Sequence, residues 1–166
     1  MNKLLILFIA VIVLGFGTIV IFNSQKQTTI SEEATNEERK IEGYSGRVLA
    51  GGYSPFLEFN KDDYEKALKS EKIILLDFYA NWCPICRAEE PGIFDGFNSL
   101  TTDRIIGFRV NFNDSETDED EKKLAKDFNV PYQHTKIFLR NGQEISRSVD
   151  QWSKERFLEE ISNYSN

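Results

Sequence analysis

Cysteine and histidine are scarce in this sequence of 166 residues, which contains two cysteines and one histidine. Two cysteines in a chain of this length exclude a small disulfide-stapled protein, because such scaffolds use several bridges in place of a large core. Clusters of Lys and Arg are also absent, and the net charge is -7. A nucleic acid is therefore excluded as a partner, since binding to its phosphates depends on such clusters. The length leaves room for one globular domain.

Charge is missing altogether from one segment near the amino terminus. Residues 4–22 are almost entirely apolar, and as a helix they would reach about 28 Å, close to the ~30 Å hydrocarbon core of a bilayer. Residues 1–22 are therefore predicted to form a transmembrane anchor. The alternative is a cleaved signal peptide, but its apolar stretch usually runs about 7–15 residues and ends at a small-residue cleavage site. We favour the anchor, with the amino terminus inside and the bulk of the chain outside the cytoplasm.

The next segment, residues 23–43, is rich in Ser, Thr, Gln and Glu. It has too few large apolar residues to bury enough surface to offset the chain entropy lost on folding. We interpret it as a flexible polar linker. The remaining residues, 44–166, form the predicted domain, and their 16 basic and 22 acidic residues make the domain itself acidic.

Within this domain the apolar pattern changes repeatedly between helical and strand periodicity. Helices are predicted over 62–70, from within the cysteine motif to about 100, over 118–128 and over 153–164. Strands are predicted over 73–79, 105–111, 136–140 and 144–149, with a turn at Asn141-Gly142 and a loop or hairpin around Gly51-Gly52. The run 73–79 is nearly continuous in apolar residues, which is typical of a central strand covered on both faces. The pattern therefore predicts a mixed α/β domain.

Both cysteines lie in the motif Trp82-Cys83-Pro84-Ile85-Cys86, between a predicted strand and a predicted helix. Two cysteines at this spacing can close a disulfide across one helical turn and can exchange it. The unpaired N–H groups of a helix amino terminus stabilise a thiolate on the first cysteine and lower its pKa. We therefore predict that Cys83 is the nucleophile. Cys86, further along the helix and expected to be more buried, would attack the mixed disulfide as the resolving thiol.

An acidic residue, Asp77, stands in the apolar strand six residues before Cys83. A carboxylate in such surroundings has a raised pKa and can hold or accept a proton. This property suits the deprotonation of Cys86 during resolution. The alternative is an Asp at a strand edge that faces solvent. We favour the functional interpretation.

These residues resemble the active-site segment of thioredoxin-fold proteins. The resemblance rests on residues 76–86 together with Pro91, and it covers about residues 56–164. It implies the thioredoxin fold, a central mixed β-sheet flanked by helices. It also implies that Asp77 assists the second cysteine, that Trp82 flanks the first and that the proline kinks the helix. Among the branches, the chain is most similar to membrane-tethered extracytoplasmic members, such as the carboxyl-terminal domain of the thiol-disulfide interchange protein.

The sequence departs from the thioredoxin pattern at the proline opposite the cysteines. Thioredoxins place a cis-proline followed by Thr eight residues before the Gly of an Asn-Gly turn, and the same count back from Gly142 gives His134 and Thr135. A non-proline cis bond costs ~3 kcal/mol, so we expect a trans bond before His134 and a reshaped substrate groove. Pro131 offers an alternative register, but Tyr132 would then stand where Thr is expected.

The histidine has three interpretations. As an imidazolium, His134 would stabilise the Cys83 thiolate, and this is the interpretation we favour. As a neutral imidazole it could complete a soft-metal site with Cys83 and Cys86, for Cu(I) before Zn(II), because thiolates select soft ions. That site would resemble copper chaperones of the thioredoxin fold. In the third interpretation, His134 merely packs against Trp82.

The sequence thus predicts a single-pass cell-membrane protein that reduces protein disulfides outside the cytoplasm through its Cys-Pro-Ile-Cys dithiol. Pro84 and Ile85 shift the reduction potential within the ~150 mV range of this fold, so oxidation is the alternative direction. No cofactor beyond the redox-active disulfide is expected. A membrane electron donor is expected, since no glutathione or thioredoxin pool can be assumed there. The rival functions are a Cu(I) metallochaperone using Cys83, Cys86 and His134, and a redox-inert binding domain.

Overall fold

The computed structural model describes residues 40–164, which form a mixed sheet covered by helices on both faces. The strands are β1 (Val48–Ala50), β2 (Phe56–Glu58), β3 (Ile73–Tyr79), β4 (Ile105–Asn111), β5 (Thr135–Arg140) and β6 (Gln143–Ser148). The helices are α1 (Lys61–Leu68), α2 (Pro84–Ser99), α3 (Glu119–Asp127) and α4 (Lys154–Ser162). The predicted anchor at 1–22 and nearly all of the predicted linker at 23–43 lie outside the described residues. Within 40–164, no helix is both long and apolar enough to cross a membrane.

The strands follow the order β1-β2-β4-β3-β5-β6 across the sheet. The central strand β3 pairs in parallel with β4 and antiparallel with β5. β2 is parallel to β4, while β1 with β2 and β5 with β6 form antiparallel pairs. Every residue of β3 except its last, Tyr79, is buried. This position explains the nearly continuous apolar run, because helices cover a central strand from both sides.

Most predicted elements are confirmed. The strands 73–79 and 105–111 have the predicted bounds, and the other predicted ends differ by at most two residues, which is the usual uncertainty of a frayed end. The segment around Gly51-Gly52 was predicted to be a loop or a hairpin. It is a hairpin, because it connects the antiparallel strands β1 and β2. Each of these strands has only three residues, too few to show an alternating pattern.

The core has one layer on each face of the sheet. On one face, residues of β3, β4 and β5 pack against Ala67 of α1 and Leu124 of α3. On the other face, they pack against Phe97 of α2 and Phe157 of α4, with Trp152 beside them. Phe78, next to the carboxyl end of β3, belongs to the first layer, so the segment that follows β3 begins from the packed core.

Gly107→Ala is expected to lower the free energy of unfolding by about 1–3 kcal/mol through overpacking. A Cβ at this position in β4 would overlap the rings of Phe97 and Phe56, which are buried and stack with centroids 4.8 Å apart. Gly52→Ala is the matched control, since its Cβ would meet nothing within 4 Å. Urea unfolding measures both variants. Equal midpoints would show that the rings yield and that the packing argument is wrong.

Candidate active site

The two cysteines lie at the junction between β3 and α2. Cys83 is the N-cap residue of α2 and forms a disulfide with Cys86. Its sulfur accepts a hydrogen bond from the backbone N–H of Cys86 at 3.1 Å. Pro84 takes a first-turn position, where its missing N–H removes no helical hydrogen bond and its fixed φ suits the helix. The helix therefore begins within the motif, as predicted, and directs its amino-terminal N–H groups at Cys83.

Both sulfurs are covered in the disulfide state. Cys83 and Cys86 are each 1% exposed, so the expectation that Cys86 is the more buried of the two is wrong. A ring nitrogen of His134 and the two sulfur atoms all lie within 4.8 Å of one another. Around this covered pair, Trp82 and Ile85 remain exposed at 51% and 41%. The site is thus a buried disulfide with an apolar, accessible rim.

The loop between β4 and α3 supports the segment just before Cys83. The indole Nε1 of Trp82 donates to the carbonyl oxygen of Asn113 at 3.0 Å. The backbone N–H of Asn81 donates to Asp114 at 2.8 Å, and its side-chain amide donates to Ser115 at 3.0 Å. Trp82 flanks Cys83 as the resemblance implied, and these bonds fix its orientation. The sequence pattern did not reveal this role of the loop.

Asp77 is buried in β3 with 5% exposure, so the solvent-facing alternative is wrong. Its Oδ1 has no hydrogen-bond partner among residues 40–164. Burial raises the pKa of Asp77 to about 7, with the ammonium of Lys136 acting to lower it and the carboxylate of Glu89 to raise it. A carboxyl group with this pKa can release or accept a proton at neutral pH.

His134 lies immediately before β5 in the left-handed region, with a φ of 53°. The peptide bond before it is trans, as expected, because no bond within the described residues is cis. Its N–H donates to the carbonyl oxygen of Phe78 at 2.6 Å, and the buried Thr135 hydroxyl fixes the same loop by donating to the carbonyl oxygen of Tyr132 at 2.8 Å.

The protonation of His134 follows from its surroundings. Burial lowers the pKa of the imidazole, and the nearby Lys136 lowers it further. Its Nδ1 is buried and has no hydrogen-bond partner within the described part of the chain. The imidazole is therefore mainly uncharged at neutral pH, so the favoured imidazolium interpretation does not hold for the disulfide state.

Sequence reasoning missed a group of charged residues beneath the site. Lys136 in β5 and Glu89 in α2 form an ion pair at 2.5 Å with side chains 0% and 2% exposed. Arg109 in β4 contacts both Glu58 and Glu90. For Lys136 and Arg109, the sequence offered the same signal as for Asp77, namely a charged residue inside an otherwise apolar strand.

The remaining predicted residue, Pro91, lies inside α2. A proline there has no N–H to donate, so one helical hydrogen bond is missing from the middle of the helix. This agrees with the position that the resemblance implied for it. It lies beyond the first two turns of the helix and thus leaves the amino-terminal N–H groups around Cys83 unaffected.

Comparison with known proteins supports the same family. The thioredoxin family model matches residues 55–163. Thioredoxin-2 of Pyricularia oryzae is 31% identical over 130 residues, which cover 78% of this chain and 71% of that protein. Thioredoxin-1 of Caenorhabditis elegans is 30% identical over 113 residues, covering 64% of this chain and 90% of that protein. The crystal structure of Trxlp from Edwardsiella tarda is 28% identical, with a TM-score of 0.51, and covers 64% of this chain and 94% of that chain.

These relatives also bear on the rival functions. They are thioredoxins and give no support to a copper carrier, although one possible ligand atom from each of Cys83, Cys86 and His134 lies within 4.8 Å of the other two. They likewise contradict the redox-inert alternative, because thioredoxins exchange thiols and disulfides. With the matched family model, the matched fold and the disulfide at the start of α2, the chain belongs to the thioredoxin family and is a thiol-disulfide oxidoreductase whose redox pair is Cys83 and Cys86.

Proposed function

We propose that the chain is a membrane-anchored reductase of protein disulfides that works outside the cytoplasm. The observation that carries the reductase part is the Cys83–Cys86 pair at the amino terminus of α2, with Asp77 buried in the preceding strand. The uncharged segment 4–22 supports the anchor. The oxidising environment outside the cytoplasm provides disulfides on which such a pair can act.

The reaction begins with the reduced pair. The Cys83 thiolate attacks one sulfur of a substrate disulfide, and the second substrate sulfur leaves as a thiolate that takes up a proton. Cys83 is then joined to the substrate in a mixed disulfide. The N–H groups at the start of α2 stabilise the Cys83 thiolate before the attack, since they carry the positive end of the helix dipole.

Resolution uses the second cysteine and the buried carboxylate. Asp77 accepts the proton of the Cys86 thiol, and the Cys86 thiolate attacks the sulfur of Cys83. The bond between Cys83 and the substrate breaks, the substrate leaves with a thiol, and the Cys83–Cys86 disulfide forms. Two electrons pass from the protein to the substrate, and Asp77 releases its proton afterwards. A pKa of about 7 suits this carboxyl to both steps at neutral pH.

Substrate contact is proposed for the apolar rim and for the loop that contains His134. Trp82, Ile85 and Tyr132 are exposed large side chains in these two segments. We place His134 at the position where thioredoxins have their cis-proline, and the trans bond before it reshapes the groove. The neutral imidazole lies beside the sulfurs and limits access to Cys83 rather than supplying a positive charge.

The electron donor is proposed to be a membrane carrier of reducing equivalents. After each cycle the disulfide needs two electrons, and a tethered domain meets a membrane protein at high effective concentration. No prosthetic group is required in the chain itself for this exchange, because the dithiol is the electron carrier.

The reduction potential of the full-length protein tests the proposed direction. In detergent, equilibrated against dithiothreitol buffers, the pair is expected to have a potential near the ~-270 mV of thioredoxin and to catalyse insulin reduction. A potential near ~-120 mV would show that the protein is an oxidant. If one equivalent of Cu(I) completely blocks reoxidation of the dithiol, and His134→Ala abolishes that block, the result would contradict the reductase and favour the copper carrier.

Protease accessibility tests the placement. In cells that express the full-length protein and have been stripped of any wall or outer layer, externally added protease is expected to digest residues 44–166. A cytosolic marker protein must stay intact in the same sample. Protection of the domain until the membrane is dissolved would contradict an extracytoplasmic position, and recovery of the domain in the soluble fraction would contradict the anchor.

A further inference from the structure

We propose that the buried pair Glu89 and Lys136 positions the redox site, by fixing the backbone of His134 and setting the charge around Asp77. This inference rests on the role of Asp77 as proton acceptor in the proposed function. It assigns to two core residues an influence on the pH at which Asp77 takes up and releases its proton. Neither residue is expected to touch the substrate.

The pair holds three parts of the fold together at one point. The Lys136 ammonium donates to Glu89 Oε2 at 2.5 Å, to the carbonyl oxygen of His134 at 3.1 Å and to the carbonyl oxygen of Asp150 at 3.2 Å. An ammonium has three N–H groups, so all of them are used. The same Glu89 oxygen accepts the backbone N–H of Trp152 at 3.1 Å. The pair therefore joins α2, the His134 loop and the connection between β6 and α4.

The backbone of His134 is held by two hydrogen bonds, one to Lys136 and one to β3. The N–H of His134 donates a hydrogen bond to the carbonyl oxygen of Phe78, and the carbonyl oxygen of His134 accepts one from the Lys136 ammonium. With both groups occupied, the residue is held in the left-handed region that non-glycine residues rarely adopt. This fixed backbone keeps the imidazole within 4.8 Å of the two sulfurs.

The same pair lies next to the buried carboxyl. Lys136 stands directly opposite Asp77 in the register of β3 and β5, so the two side chains project from the same face of the sheet. Glu89 follows Cys86 by three residues on α2, which places it one turn further along the same side of that helix. The pair thus links the strand position opposite the proton acceptor to the helix that carries the resolving thiol.

The charged groups that act on Asp77 come from three elements. Lys136 in β5 and Arg109 in β4 favour its ionised form, while Glu89 and Glu90 in α2 oppose it. Arg109 is already engaged by Glu58 and Glu90. The buried pair is the part of this group that lies beyond solvent screening, since both of its side chains are at most 2% exposed.

Two substitutions of opposite charge test the inference in the full-length protein. Glu89→Gln keeps the shape and an acceptor for Lys136, and it should move the midpoint of the pH profile of insulin reduction down by about one pH unit. Lys136→Met should move the midpoint up by about the same amount. The combined variant should return the midpoint close to the native value.

The single histidine provides a second readout that does not depend on activity. Because His134 is the only histidine in the chain, one NMR titration reports its imidazole without ambiguity. In the oxidised protein, Lys136→Met should raise the imidazole midpoint and Glu89→Gln should lower it. Lys123→Met is the matched control, since Lys123 forms an exposed pair with Asp127 on α3 and should shift neither midpoint.

The sign of the shifts decides the outcome. A purely structural pair would lower stability in both variants without moving the two midpoints in opposite directions, and that result would overturn the inference. If Lys136→Met does not fold, an unchanged midpoint in Glu89→Gln overturns it equally. Failure of the native protein to reduce insulin would contradict the proposed function, while the histidine titration would still confirm or overturn the effect of the pair.

Discussion

Cys83→Ser is expected to lower the rate of insulin reduction to background, a loss of about 10³-fold or more, because the nucleophile is gone. Cys83 is the N-cap of α2 and its sulfur already accepts the N–H of Cys86. Cys86 lies inside the first turn, and among residues 40–164 no backbone N–H donates to its sulfur. The remaining cysteine therefore cannot replace Cys83.

Cys86→Ser should behave differently, since it removes only resolution. The variant is expected to accumulate a mixed disulfide between Cys83 and the substrate, visible as a mass increase that dithiothreitol reverses. The double variant Cys83→Ser/Cys86→Ser is the control and should form no adduct. Accumulation of the adduct in Cys83→Ser instead would show that the two roles are reversed.

Regular elements with many residues could be predicted from the sequence, and very short ones could not. The strands 73–79 and 105–111 each have seven residues and lie at the centre of the sheet, so burial on both faces leaves a long apolar run. The hairpin of β1 and β2 carries no such signal. β2 is held by pairing with β4, and β1 is held by pairing with β2, which is a property of the sheet and not of the segment.

The active site divides in the same way. Asp77 was predictable, because one carboxyl in an apolar strand needs an explanation. Lys136 has the same signal, but its partner Glu89 is 47 residues away in the chain and the packing of α2 on the sheet brings them together. The approach of His134 to the two sulfur atoms, within 4.8 Å, also depends on packing, since His134 precedes β5 and the cysteines lie at the start of α2.

Asp77→Asn is expected to make the protein more stable and less active at once. The pKa of Asp77 in the folded protein is about 7, above its ordinary value of 3.8. Between these pH values the folded state keeps a proton that the unfolded state has lost. Native stability therefore falls as the pH rises from about 4 to 7, by an amount on the order of 4 kcal/mol when complete.

The amide has no such dependence, so the stability gain of Asp77→Asn should be near its maximum at pH 8 and small at pH 4. Thermal unfolding at the two pH values measures it, with the exposed Asp95→Asn as a control that should change neither. The rate of insulin reduction should fall about 100-fold, since the proton acceptor for Cys86 is lost.

These opposite effects separate a functional carboxyl from a structural one. A carboxyl that the fold needs would lower stability when replaced, whereas Asp77 is buried with one oxygen unpartnered among residues 40–164 and destabilises the fold whenever it is ionised. Such a group has no structural reason to be where it is. A variant that is less stable at pH 8, or that keeps the native rate and pH profile, would remove Asp77 from the mechanism and leave Cys86 to lose its proton to solvent.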